Sequence, residues 1–115
     1  MATNRIVQVE WLSTDLSRSS AFFHELFGWD FQPFGADYLY YKHPDGGAGA
    51  GIQRSDHVRP GNTPVAYIHV DNIEDCLVRV QELGGRVVVP RTEVPDAGWF
   101  AHFADPDGNV IGLVE

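Results

Sequence analysis

Polar side chains that can hold or move protons recur at alternate positions of two predicted strands. Gln8 and Glu10 lie two apart in the segment IVQVEWL, and Tyr67 and His69 lie two apart in VAYIHV. Successive side chains of a strand point to opposite faces, so each pair shares one face of its strand. A carboxylate, a phenol and an imidazole are groups that acid–base catalysis uses, and they also bind polar ligands.

Two further polar residues, Tyr40 and His102, occupy matching places ahead of two Asp-Gly turns. His102 precedes the turn DPDG at 105–108, and counting back across that turn puts it opposite Gly112. Tyr40 precedes the turn HPDG at 43–46 in the same way. The matching turns indicate that one structural unit is used twice along the chain.

The elements that position these residues repeat in the same order in both halves. Asp15 and Asp71 each follow a strand at a helix N-cap position, and Gly28 and Gly84 end the helices thirteen residues later. Glu74 can form a capping-box-like pair with Asp71. Three strands follow each helix, at about 30–34, 36–42 and AGAGIQ in the first half and at RVVVP, WFAHFA and VIGLV in the second.

This order predicts an α+β fold of two tandem βαβββ modules within a single domain, residues 1–115. The first module covers about 5–53, a linker covers about 54–64, and the second module covers about 65–115. We expect RTEVPDAG to form a longer loop in the second module. Apolar periodicity predicts the buried helix faces as Leu16, Phe23, Leu26 and Phe27 in the first helix and Ile73, Cys76, Leu77 and Val80 in the second.

Length, charge and cysteine content restrict the class of protein. The chain has 115 residues, of which 43% are apolar, so one hydrophobic core fits and two independent domains do not. The net charge of −8 argues against nucleic acid and anionic membranes, and no apolar run approaches the roughly 20 residues of a membrane span. A single cysteine, Cys76, and a start without a signal-peptide core favour the cytoplasm.

Long stretches of both halves resemble the vicinal-oxygen-chelate superfamily, which includes glyoxalase I, bleomycin-resistance proteins and extradiol dioxygenases. EWLSTDLSRSSAFFHELFGW is similar to the first strand–helix signature of that family, and YIHVDNIEDCLVRVQELGGRVV with GWFAHFADPDGNVIGLVE is similar to the second. The resemblance implies sheets that curl, without full closure, around a shared cleft, with helices outside. It also implies a homodimer, and the aromatic residues between 22 and 31 would pack in the core or in the dimer interface.

The resemblance places four metal-ligand positions on the first and last strands of the two modules. The first-strand positions in this chain are Gln8 and Val65, and the last-strand position of the second module is Gly112. The matching stretch of the first module, AGAGIQ, has no carboxylate or imidazole facing the cleft. Divalent ions need oxygen, nitrogen or sulfur donors, so we expect no metal, no other cofactor and no lactoylglutathione lyase activity.

The implied cleft gathers the polar residues into one candidate site. The expected ligand-binding residues are Gln8, Glu10, Tyr40, Tyr67, His69 and His102. We expect Glu10 and His102 to face each other, either as a general acid–base pair or as a hydrogen-bonded structural pair. The chain is then a small-molecule-binding protein, or alternatively a metal-independent lyase or isomerase of a small carbonyl or aromatic compound. A metal-dependent glyoxalase or dioxygenase fits these residues least.

Overall fold

The computed structural model describes residues 4–59 and 63–115. These residues form two compact units: an amino-terminal unit of residues 8–59 with 63–64, and a carboxy-terminal unit of residues 4–7 with 65–115. Residues 60–62 of the predicted linker lie outside the described residues. Neither helix in the described ranges has the length and apolar composition needed to cross a bilayer.

In the amino-terminal unit, four strands pair in the order β2-β3-β4-β1. The elements are β1 (Arg5–Ser13), of which residues 8–13 belong to this unit, α1 (Leu16–Phe27), β2 (Gln32–Pro33), β3 (Tyr38–Tyr41) and β4 (Gly49–Arg54). Strand β4 runs parallel to β1 and antiparallel to β3. Gly51 of β4 lies between Glu10 and Tyr40 in this register.

In the carboxy-terminal unit, four strands pair in the order β5-β8-β7-β6. The elements are β5 (Val65–His69), α2 (Ile73–Glu82), β6 (Arg86–Val94), β7 (Gly98–Ala104) and β8 (Val110–Val114). Strand β8 runs parallel to β5 and antiparallel to β7, and Gly112 lies between Tyr67 and His102. The predicted pairing of His102 with Gly112 is therefore confirmed.

The two units share one topology, which confirms the predicted α+β class and the βαβββ repeat. In each unit the first strand pairs in parallel with the last, and the last three strands form an antiparallel meander. The registers make Gly51 the counterpart of Gly112. By the same registers Glu10 corresponds to Tyr67, and Tyr40 corresponds to His102.

The helix ends follow the predicted residues in α1 and differ by one position in α2. The Asp15 carboxylate accepts a hydrogen bond from the Arg18 N–H, and Gly28 ends α1 with a φ of 75°. The prediction that Asp71 caps α2 with Glu74 was wrong. Asn72 is the N-cap, because its side-chain oxygen accepts from the Asp75 N–H at 2.9 Å, the three-residue spacing that a cap needs.

Helix α2 covers one face of its sheet and supplies the core of the carboxy-terminal unit. The core consists of Val70, Ile73, Leu77, Ala101 and Leu113, and it confirms the predicted stripe of α2 at its two buried positions. Cys76 packs against this core, and burial raises the pKa of its thiol. A protonated, partly buried thiol is a poor nucleophile, so Cys76 acts as a packing residue.

Two expectations, one about a loop and one about a buried helix face, were wrong. The segment RTEVPDAG is not a loop over its whole length, because β6 continues to Val94 and pairs with β7 from Thr92 onward. The predicted stripe of α1 is not fully buried, since Leu26 and Phe27 are 57% and 56% exposed. Apolar periodicity identifies a helix face but does not show whether the same chain provides enough residues to cover it.

A charged contact joins the residue after strand β8 to helix α2 and strand β6. The Ile73 N–H, at the start of α2, donates to Glu115 Oε2 at 2.7 Å, and the Arg91 guanidinium donates to Glu115 Oε1. The Arg91 guanidinium also lies 3.8 Å above the ring of Trp99. The Ile73 N–H and, beyond it, Arg91 hold the pKa of the Glu115 carboxyl below its ordinary value of 4.5.

We predict that Glu115→Gln destabilises the protein in a pH-dependent manner. A carboxyl whose pKa is depressed by folding stabilises the folded state above its unfolded pKa, and this contribution is lost as the pH falls through the folded pKa. The free energy of unfolding at pH 7 should fall by roughly 1–2 kcal/mol, the value of a charge-assisted hydrogen bond. Urea unfolding at pH 7 and in acid, where the difference should vanish, measures it. Exposed Glu93→Gln is the control, and an equal loss in both variants would contradict the prediction.

Candidate functional site

In the carboxy-terminal unit, the sheet face opposite the α2 core carries the predicted polar residues. Ala101 and Leu113 point into the core, so their neighbours His102 and Gly112 lie on the other face. Tyr67 joins them through its register with Gly112. This helix-free face is therefore polar and aromatic.

Tyr67 and His102 form a direct hydrogen bond. The Tyr67 hydroxyl lies 2.8 Å from His102 Nε2, and the rings are tilted with centroids 5.5 Å apart. Tyr67 is 8% exposed and His102 is partly buried. Phe100 packs edge-on to the imidazole at 5.4 Å. Sequence parity placed Tyr67 and His102 on site strands, but it did not show that they bond to each other.

Burial lowers the pKa of His102, so its imidazole is neutral at pH 7. A neutral imidazole has one N–H and one bare nitrogen, and Nε2 therefore either accepts from the Tyr67 hydroxyl or donates to it. In both cases the pair can accept a hydrogen bond at one end while donating one at the other. This arrangement suits acid–base chemistry and the binding of a polar ligand equally.

Gly112 makes this contact sterically feasible. A Cβ atom at Gly112 would lie 2.9 Å from Tyr67 Cγ and closer still to Cδ1 and Cε1 of the ring. No side chain larger than hydrogen fits beneath the ring unless Tyr67 moves. Gly112 therefore holds open the place in which the Tyr67 ring lies.

His69 shares this face because it lies two residues after Tyr67 on β5. Its backbone carbonyl accepts from the Asn4 N–H at 2.6 Å. Its Nδ1 atom is buried and has no hydrogen-bond partner within residues 4–59 and 63–115. A buried ring nitrogen without a partner is costly, which keeps His69 among the candidate ligand contacts.

In the amino-terminal unit, Gln8 and Glu10 meet through Tyr38. The Gln8 side-chain amide donates to the Tyr38 hydroxyl, and the Tyr38 hydroxyl is hydrogen-bonded to Glu10. A Cβ atom at Gly51 would lie 2.6 Å from Tyr38 Cζ and 2.7 Å from Gln8 Nε2. Sequence reasoning did not include Tyr38 among the site residues. The available signal was its position two residues before Tyr40 on the same strand.

The environment of Tyr38 keeps its phenol protonated. Burial raises the Tyr38 pKa most, and the negative charge of Glu10 with its hydrogen bond raises it further. The hydrogen bond from Gln8 lowers it, but this effect is smaller. Tyr38 is therefore a hydrogen-bond donor to Glu10 across the physiological pH range.

The remaining predicted site residues are Tyr40 and the pair Glu10 and His102. Tyr40 pairs with Gly51 in the sheet and is 38% exposed. Glu10 belongs to the amino-terminal unit and His102 to the carboxy-terminal unit, each with the tyrosine partner described above. The pairing of Glu10 with His102 stays a prediction.

The expected absence of a metal stays a prediction, and two observations bear on it. Within the described ranges, no three His, Cys, Asp or Glu side chains are grouped closely enough to bind an ion. Gln8, at the first-strand ligand position, directs its amide nitrogen rather than its oxygen at Tyr38. This hydrogen bond leaves the amide oxygen as the one atom of the Gln8 side chain that could meet a cation.

A separate groove of about 660 Å³ runs beside α1 in the amino-terminal unit. It contains none of the predicted site residues. Its polar feature is an ion pair in which His24 Nδ1 lies 2.9 Å from Asp30, and both side chains are more than half exposed. Exposed pairs of this kind contribute little energy, so we do not assign the candidate site to this groove.

We predict that Gly112→Ala disrupts the Tyr67–His102 pair. The added methyl group requires the Tyr67 ring to move, and overpacking of this kind costs about 1–3 kcal/mol. Chemical denaturation gives the stability, and histidine NMR signals report the lost bond. In a Tyr67→Ala background the same change should cost much less, and equal costs in both backgrounds would show that the ring is not the obstacle.

We predict that Glu10→Gln lowers the pKa of the Tyr38 phenol. The change removes a negative charge that raises this pKa and leaves burial as the remaining cause. Tyrosine ring carbon signals followed through an alkaline titration measure the shift, with Tyr38→Phe identifying the resonance. A Tyr38 titration that is the same in the wild type and in the Glu10→Gln variant would contradict the contact.

Comparison with known proteins agrees with the fold. Residues 5–113 match the family model of the Glyoxalase/Bleomycin resistance protein/Dioxygenase superfamily. The chain is 31% identical over 112 residues to CFP32 of Mycobacterium tuberculosis, which carries a provisional glyoxylase name. This match covers 91% of the chain but 43% of CFP32, so the chain spans less than half the length of that relative.

Solved structures share the same fold at low sequence identity. Methylmalonyl-CoA epimerase from Mycobacterium tuberculosis gives a TM-score of 0.78 at 14% identity, over 98% of this chain and 88% of that one. The Mn(II)-bound glyoxalase from Novosphingobium aromaticivorans gives 0.70 at 21% identity, over 97% of this chain and 38% of that one. The family match spans nearly the whole sequence, and the chain belongs to the Glyoxalase/Bleomycin resistance protein/Dioxygenase superfamily.

Proposed function

We propose that the chain binds a small organic molecule through the polar side chains of its sheets, without a metal ion. The observation that carries this proposal is the hydrogen-bonded Tyr67–His102 pair above Gly112. A buried phenol and a neutral imidazole offer a ligand both a donor and an acceptor. Phe100 beside them adds an aromatic surface, which favours a ligand with a ring or a conjugated carbonyl.

The glyoxylase name of CFP32 and the manganese of the Novosphingobium glyoxalase suggest a metal enzyme instead. The residues of this chain oppose that interpretation. Val65 and Gly112 provide no donor where the resembling enzymes have ligands, and Gln8 is engaged with Tyr38. Membership of the superfamily therefore indicates where a site lies, but it does not establish metal-dependent glyoxalase activity.

A metal-independent enzyme is the second candidate function. The lowered pKa of His102 favours it, because a neutral imidazole is the form that accepts a proton from a substrate. In this case His102 is the base and Glu10 is the second member of the predicted catalytic pair. The substrate would be a small carbonyl or aromatic compound with an acidic C–H or O–H group.

We predict that aromatic probes bind through His102. Benzyl alcohol, catechol and acetophenone can be titrated in ligand-observed NMR against the wild type and single variants. His102→Gln and Tyr67→Phe should each weaken binding roughly tenfold, the value of one lost hydrogen bond to a fixed partner. His57→Gln, at an exposed histidine outside the strands, is the matched control. Equal affinities in the His102 and His57 variants would exclude the proposed face.

We predict that the purified protein contains no stoichiometric transition metal. One neutral amide cannot offset the dehydration of Mn²⁺, Zn²⁺ or Ni²⁺. Elemental analysis after incubation with each ion should find far less than one ion per chain. Conversion of the glutathione hemithioacetal should be absent with or without these ions. One ion per chain, lost in Gln8→Ala or Glu10→Ala, would show that the metal site exists.

We also propose that the chain forms a homodimer through apolar residues of α1. Phe22, Leu26 and Phe27 are 60%, 57% and 56% exposed, which is unusual for three large apolar residues on one helix. Analytical ultracentrifugation should give a dimer at micromolar concentration, and Phe22→Glu should shift it toward the monomer. A wild-type monomer at this concentration would contradict the proposal.

For the cellular compartment we propose the cytoplasm. Cys76 is the single cysteine and its thiol is partly buried and free, so the fold needs no oxidising environment. Fractionation of cells that express the natural gene, with antibody detection, tests this assignment.

A further inference from the structure

We propose that Tyr38 is a positioning residue of a ligand site in the amino-terminal unit, through which Glu10 selects a ligand hydroxyl or N–H group and rejects a carboxylate. This inference rests on the proposed function, because it assigns the chemical class that a small ligand presents to Glu10 in the amino-terminal unit. Tyr38 has no role in the sequence-based site. Its contacts within the amino-terminal unit carry the argument.

The hydrogen bonds between the three side chains run in one direction. A carboxylate only accepts hydrogen bonds, so the Tyr38 hydroxyl gives its single proton to Glu10. The Tyr38 oxygen then accepts from the Gln8 amide nitrogen. The relay therefore begins at a neutral amide and ends at a negative carboxylate.

Gly51 determines where the relay lies. A Cβ atom there would overlap the Tyr38 hydroxyl and would lie 2.7 Å from Gln8 Nε2. Both polar groups thus lie directly on the backbone of β4. The phenol lies between Gly51 and the Gln8 amide and donates to Glu10 from one direction, which restricts how the Glu10 carboxylate can turn.

The consequence is a preference for hydrogen-bond donors. The Tyr38 proton is committed to Glu10, and a protonated phenol of this kind has no second proton for a ligand anion. Glu10 attracts a hydroxyl or N–H group and repels an approaching carboxylate. The net charge of −8 acts in the same sense over longer distances.

Benzyl alcohol and benzoate test the selection, because they share a ring and differ in the group that they present. Wild-type protein at pH 7 should bind benzyl alcohol roughly tenfold more tightly than benzoate, the value of one charge-assisted hydrogen bond. Tyr38→Phe should reduce this ratio to about twofold, because Glu10 is released and the Gln8 amide is free to meet a carboxylate. Glu10→Gln should have the same effect on the ratio.

Tyr41→Phe is the matched control for the loss of a hydroxyl. Tyr41 lies on the same strand as Tyr38, but its ring stacks on Trp29 with centroids 5.0 Å apart. The ratio of the two affinities should be unchanged in this variant. A ratio that is equally unchanged in Tyr38→Phe would overturn the inference while leaving the proposed function intact.

The Gln8 side-chain amide provides a readout without ligand. One of its two protons should exchange slowly with solvent in the wild type and in Tyr41→Phe, and it should exchange freely in Tyr38→Phe. An amide signal that does not respond to Tyr38→Phe overturns the relay itself. Wild-type protein that binds neither compound would remove the support for the proposed function and for this selection together.

Discussion

The hydrogen-bonded polar residues of both units depend on two strand positions, Gly51 and Gly112, that carry no side chain. At Gly51 and at Gly112 a tyrosine fills the space that any Cβ atom would need. A glycine within a strand costs conformational entropy and packs nothing of its own, so a close approach by another group gives it a reason to be there. Both tyrosine hydroxyls then bond to a titratable side chain, Glu10 or His102.

The two units use the same gap with tyrosines from different strands. Tyr38 comes from β3 and Tyr67 comes from β5, the counterpart of β1. At the position equivalent to Tyr67 the amino-terminal unit has Glu10, and at the position equivalent to Tyr38 the carboxy-terminal unit has Phe100. The two units therefore share a backbone arrangement but differ in the partner of the tyrosine. Tyr38 contacts a carboxylate, and Tyr67 contacts a neutral imidazole.

Sequence periodicity predicted the fold and much of the candidate site because both depend on local rules. Strand parity and turn counting placed His102 opposite Gly112, and the Asp15 cap and the Gly28 stop follow from backbone chemistry at single positions. Side-chain reach is not a local property. Tyr38 extends over Gly51 to contact Gln8 and Glu10. The alternation of residues along a strand does not predict how far a side chain reaches across neighbouring strands.

The predictions that were wrong also concern contacts that the local sequence does not contain. Asp71 and Asn72 are both good capping residues, and their order along the chain does not show which one reaches the third N–H. The polar letters of RTEVPDAG resemble a loop, but pairing with β7 provides hydrogen bonds that keep the segment extended to Val94. The exposure of Phe27 depends on what covers α1, and the sequence of one chain does not report its neighbours.

The contact between Glu115 and Ile73 links the start of a helix to a residue 42 positions later in the chain. The ribosome synthesises a chain from its amino terminus, so the first turn of α2 emerges well before the Glu115 carboxylate that accepts its N–H. Until Glu115 emerges, the helix start relies on Asn72 alone, and Arg91 has no Glu115 carboxylate to bind. During synthesis the carboxy-terminal unit therefore reaches full stability only after Glu115 has emerged.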